Sequence, residues 1–301
     1  MDTLLLIAAA GLAASLVDGT LGMGFGPTSA SILLASGVPP AAVSATVNIV
    51  KVASGVTGAL FHWRLGNIDR LVTRRLAGSG ALGAIIGVFV LTRVDGDQLR
   101  PILALCLLVV AGRMLWRFAR TEPSPTPDAM PRPPRALPAV ALAGGITNGL
   151  IGAWGPVVTP YLLGAGMAPR FAIGSVNTAE VAVATVSAGA LVTSFGPSQI
   201  DATLVAMLIG ATIGAPIAAR LIRHVPVRGT GLTVATLLLL TNLRELATWA
   251  DLGSARWWLY AFVPVALATA TMGGGIAQRR RSASTGLPGI GVIDQPTDAV
   301  G

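Results

Sequence analysis

Lysine occurs once in these 301 residues, cysteine once and histidine twice. Charged residues make up 11% of the chain and aromatic residues 5%. Each shortage excludes something. The lone cysteine, Cys106, allows no disulfide framework, and its apolar surroundings suit a small core residue better than a reactive thiol. Two histidines, one cysteine and few acids give no basis for a metal site or a bound cofactor. So little charge excludes an ordinary soluble domain of this length. What remains is apolar, 53% of the chain, with a mean hydropathy of +0.72 and 37 glycines. The apolar runs are long and continuous, which points to an all-α polytopic membrane protein rather than a transmembrane barrel. Abundant glycine and alanine suit helices whose backbones touch in lipid. The net charge of +8 comes from arginines in loops flanking the helices, so it signals membrane orientation and not nucleic acid. Residues 1–17 carry Asp2 and no basic stretch, against a cleaved signal peptide.

Apolar segments fall at about 4–17, 22–36, 41–62, 71–92 and 99–118, then at 137–152, 155–166, 169–193, 198–222 and 229–248. A Pro/Arg-rich linker, 119–135, separates the two sets. This divides the chain into a first transmembrane repeat (1–118), a cytoplasmic linker, a second repeat (136–248), an additional C-terminal transmembrane helix (249–278) and a disordered cytoplasmic tail (279–301). Trp116 and Trp249 lie near segment ends, as an interfacial belt requires.

The halves repeat. Gly22 to Pro27 aligns with Gly152 to Pro156, with one extra residue in the first. Pro40, Asn48 and Lys51 align with Pro169, Asn177 and Glu180 at a constant offset of 129. Gly83 and Gly87 are echoed by Gly210 and Gly214. Each half holds two short segments broken by Gly and Pro, then three long ones. If each short pair enters and returns, the number of elements per half is odd and the second half is inverted. Arginines then divide sixteen to four between the two faces, whereas the alternative division is eleven to nine. The positive-inside rule favours the inverted arrangement, with the N-terminus outside and the C-terminus cytoplasmic.

An ion at membrane depth is a functional hypothesis by default. Lys51 and Glu180 are two, at equivalent positions. Ser44, Asn48, Lys51, Gly55, Gly58 and His62 share one helical stripe, and Asn177, Glu180 and Ser187 share its counterpart. Lys51 and Glu180 fit either a structural ion pair or an anion ligand with a proton carrier, and the two are compatible. At the Gly22–Pro27 and Gly152–Pro156 breaks, each following half-helix exposes N–H groups that favour an anion, unless the break is only a tight turn. Trp154 suits packing more than a pocket. Asp18, just before the first break, reads as a cap.

The pieces DGTLGMGFGP, SGVPPAAVSATVNIVKVASG, FHWRLGNID, TNGLIGAWGP and IGSVNTAEVAV resemble the TauE/SafE-type sulfite exporter family, also called TSUP. The resemblance covers most of residues 4–245. It implies a secondary transporter of sulfite, sulfonates or related small anions in the bacterial cytoplasmic (inner) membrane. Phe25 and Pro27 depart from the run of glycines common at the first break.

The expected protein is therefore a non-enzymatic, inverted-repeat transporter of a small oxyanion, working by alternating access. Gly22, Gly24, Gly26, Gly152 and Gly155 are expected to supply backbone approach to the substrate. Asn48 and Asn177 would supply amide donors, Lys51 charge, and Glu180 proton coupling. Its partners are the anion, protons and the lipid bilayer, with no nucleic acid, metal or cofactor and no implied oligomeric state. A passive anion channel and a non-transporting scaffold are the alternatives. A membrane enzyme fits poorly, since no histidine lies mid-helix.

Overall fold

A computed structural model describes residues 2–21, 23–119, 133–196, 202–221 and 227–253. Most of the expected linker, the extra helix over 249–278 and the tail lie outside these residues. The described residues form ten α-helices and no strand. They are α1 (Asp2–Leu21), α2 (Phe25–Ala35), α3 (Pro40–Arg64), α4 (Arg70–Arg93), α5 (Gly96–Ala119), α6 (Leu137–Ile151), α7 (Gly155–Gly164), α8 (Pro169–Phe195), α9 (Ala202–Leu221) and α10 (Val227–Trp249). Each matches one of the ten apolar segments. Four of them, α3, α4, α5 and α8 from Arg170, are long and apolar enough to cross a bilayer.

The boundaries follow from sequence chemistry. Pro40 and Pro169 begin α3 and α8, where a missing N–H costs nothing. Asp69 caps α4, accepting from the N–H groups of Leu71 and Val72 at 2.9 and 3.0 Å. The first apolar segment is longer than its hydropathy suggests. α1 runs on through Asp18 to Leu21, about 30 Å in all. The carboxylate is tolerated in the last turn because it has work there: it accepts from Gly24 N and Phe25 N at 2.9 and 3.2 Å. α2, α6 and α7 are short, at 11, 15 and 10 residues.

The helices pair across the halves. α1 packs along α9, α4 along α6, α3 against α8 and α5 against α10. The two most extensive pairings each put the first helix of one half beside the fourth helix of the other. Both use the same device. A Cβ on Gly83 or Gly87 of α4 would strike carbonyls of Leu142 or Ile146 in α6, and one on Gly210 or Gly214 of α9 would strike those of Ala8 or Leu12 in α1. Without a hydrophobic drive between helices in lipid, such backbone approach is what holds the pairs.

Candidate functional site

The two glycine breaks touch. A Cβ on Gly26 would run into the backbone of Gly152 and Ala153, and Gly152 sits in the left-handed region at φ +71. That conformation ends α6 and turns the Gly152 carbonyl toward α3. Lys51 Nζ donates to this carbonyl at 2.7 Å and to Asn148 Oδ1 at 3.1 Å, and it pairs with the Glu180 carboxylate. Lys51 is 6% exposed and Glu180 19%. Three acceptors around one ammonium satisfy its three donors, which is what a buried cation needs.

Behind the pair lies a polar cluster. Asn148 Nδ2 donates to Asn48 Oδ1 at 2.7 Å and to Ser187 Oγ at 3.0 Å. Asn48 Nδ2 donates to the carbonyls of Ser44 and Asn148 at 2.9 and 3.2 Å, and Ser44 Oγ donates to Gly149 O at 2.7 Å. Asn48 is fully buried. It was expected to donate to a ligand; its amide is instead spent on tying α3 to α6.

In front of the pair is a cavity of about 150 Å³. Asp18, Lys51, Asn177 and Glu180 line it, with Ser15 and Ser54. Three ionisable groups from α1, α3 and α8 thus share one space. Of the other expected site residues, Gly22 lies outside the described residues. Gly24 is buried, with its N–H taken by Asp18. Gly155 is buried as the first residue of α7 and does not line the cavity. Gly26 and Gly152 act through the contact between the breaks. Trp154 packs, with no exposure, and its Nε1 donates to Val176 O at 3.2 Å. Thr28 and Thr159, in the first turns of α2 and α7, are buried with hydroxyls that have no hydrogen-bond partner among the described residues.

Asn148 is the residue that sequence reading missed, and a signal was present. At the offset of 130 that aligns Gly22 with Gly152, Asn148 stands opposite Asp18. The two use their positions differently. Asp18 caps α2, whereas Asn148 holds the cation. Hydrogen bonds between helices in lipid average only about 0.6 kcal/mol. Asn148→Ala is nonetheless expected to cost about 1–3 kcal/mol, because it leaves a buried ammonium and the Asn48 carbonyl underpaired. A lowered thermal midpoint of the detergent-solubilised variant, with secondary structure unchanged at low temperature, checks this.

A bundle of apolar helices with a charged, polar cavity at the crossing of two long spans defines a multi-pass helical membrane protein built around a polar site. The chain belongs to the TauE/SafE sulfite exporter family, a family of membrane transporters: the family described as Sulfite exporter TauE/SafE matches residues 7–245. It is also 34% identical over 252 residues to "Probable membrane transporter protein YtnM" of Bacillus subtilis (strain 168), covering 82% of this chain and 83% of that protein. No solved structure matches.

Proposed function

We propose that this protein is a proton-coupled secondary transporter of a small oxyanion, sulfite or an organosulfonate, acting by alternating access across the bacterial cytoplasmic membrane. The observation that carries the reading is the cavity shared by Lys51, Glu180 and Asp18. Lys51 attracts the anion. Asn177, on the cavity wall, donates to it, and the Thr28 and Thr159 hydroxyls are donors beside the two breaks. Asn48 and Asn148 position Lys51 rather than touching substrate.

Charge counting supports the proton. With both carboxylates ionised, the cavity holds two negative charges and one positive. An added oxyanion meets net repulsion there, and in a low-dielectric setting that repulsion is large. A proton on Glu180 as the anion displaces it from Lys51 removes the conflict. Anion and proton then travel together.

The repeats, 1–118 and 136–248, are read as inverted, with the N-terminus outside. The exchange of helix pairings between halves supports this, as does the arginine bias. The lysine and glutamate at equivalent positions meet where α3 and α8 cross. Rocking of one repeat against the other about the Gly26–Gly152 contact would open the cavity to alternate sides. The test is flux of radiolabelled sulfite into proteoliposomes with and without an inward proton gradient. A gradient is expected to raise initial flux several-fold and drive accumulation. Flux that ignores the gradient and only equilibrates would make this a passive channel.

A further inference from the structure

A basic recess lies apart from the Lys51 cavity. It holds about 240 Å³ and is lined by Arg113, Trp116 and Arg117 of α5 and by Pro160 and Gly164 of α7. Arg113 and Arg117 are one turn apart and so share a face. Arg113 is exposed, and no carboxylate pairs with it among the described residues. Arg117 donates to Met23 Sδ at 3.7 Å and lies over the Phe118 ring at 5.7 Å, contacts that help fix its direction.

Arg113 sits six residues before the end of α5 at Ala119, about 9 Å along the axis. That is a depth from which an arginine reaches the headgroup layer. Trp116 beside it is exposed, as interfacial tryptophans are. Below the recess, Ile102, Leu105 and Val109 continue an exposed apolar stripe along α5 that leads to Trp116. From Ile102 to Trp116 the stripe is about 21 Å long, enough for most of an acyl chain. A cationic recess at the head of an apolar stripe matches an amphiphile whose headgroup is an anion. A free anion would use the recess and leave the stripe unexplained.

We infer that the Arg113–Trp116–Arg117 recess binds the phosphate headgroup of an anionic phospholipid, with an acyl chain lying along the α5 stripe. The two guanidinium groups take the phosphate oxygens, and Trp116 packs against the glycerol end of the chain. The recess is on the end of α5 that leads into the arginine-rich linker, so an acidic leaflet is attracted to the same face. This inference does not depend on what the Lys51 cavity transports.

The test is a thermal-shift titration of the purified full chain in neutral detergent. Three additions are compared: short-chain phosphatidylglycerol, short-chain phosphatidylcholine and inorganic phosphate. Phosphatidylglycerol is expected to raise the midpoint saturably, with the other two weaker by at least tenfold in concentration. Arg113→Gln should right-shift the phosphatidylglycerol curve by about fivefold, from a contribution of about 1 kcal/mol per basic residue. Arg113→Gln/Arg117→Gln should abolish saturation, while the lipid-free midpoint of the single variant stays at the wild-type value. Equal effects of the two lipids, or an unshifted Arg113→Gln curve, would overturn the inference. So would inorganic phosphate matching phosphatidylglycerol, which would make the occupant a soluble oxyanion. If the double variant does not fold, the single variant's shift decides.

Discussion

Replacing Lys51 with Met is expected to destabilise the protein by about 3–5 kcal/mol, because it strands the Glu180 carboxylate without its cation. The loss has little to do with packing, since Met matches the lysine stem in length. It comes from an uncompensated charge and from the carbonyls of Gly152 and Asn148, which lose their donor. Lys51→Met/Glu180→Gln removes both charges together and is expected to recover most of that stability, as replaced ion pairs commonly do. Chemical or thermal denaturation of the three proteins in one detergent measures this. If Lys51→Met is as stable as wild type, the pair contributes nothing to the fold. If the double variant is no better than the single, the cost lies elsewhere than in the stranded carboxylate. The double variant matters beyond stability, because it supplies a folded protein without the two charges.

Gly26→Ala is expected to be as damaging by a different route. The new methyl group would occupy the space of the Gly152 backbone. Backbone facing backbone has no flexible side chain to yield, so α2 and α6 must separate. That separation pulls the Gly152 carbonyl from Lys51 and loosens the crossing on which the cavity depends. A cost of several kcal/mol, at or beyond the upper end of overpacking penalties, is expected, with poor recovery of folded protein from membranes. Gly58→Ala is the control. It lies on the same stripe as Lys51 and lines the same cavity, but a Cβ there meets nothing within 4 Å. Its stability should match wild type, and a helix-favouring residue could even raise it slightly. Size-exclusion profiles and denaturation midpoints separate the two variants. Wild-type behaviour of Gly26→Ala would mean that the breaks do not meet.

Much of the helical pattern was legible because apolar runs, prolines and glycines act locally. Pro40 and Pro169 mark helix starts, and the two Gly/Pro clusters mark where helices break. The meeting of Lys51 and Glu180 was also within reach, since a shared offset suggested that equivalent helices cross. What escaped was the difference between lying on a polar stripe and facing a cavity. Asn48 and Lys51 share a stripe three residues apart, yet α6 covers Asn48 and leaves Lys51 at the cavity edge. Only the packing of α6 makes that distinction, and periodicity within α3 carries no trace of it. Asn148 escaped for a related reason. It lies within an apolar segment and carries no charge to mark it, while its side chain serves another helix 97 residues away in sequence. Asp18 was legible as a cap, but its second place, on a cavity wall shared with residues of α3 and α8, depends on the packing of α1 along α9.

The account rests on the Lys51–Glu180 cavity being the route of the anion, with the pair serving transport as well as stability. Sulfite flux by Lys51→Met/Glu180→Gln in proteoliposomes tests this most directly, because the variant is expected to be folded. The predicted result is flux no greater than that of protein-free vesicles, beside active wild type reconstituted at the same density. Flux equal to wild type would contradict the account and leave the pair with a structural role alone.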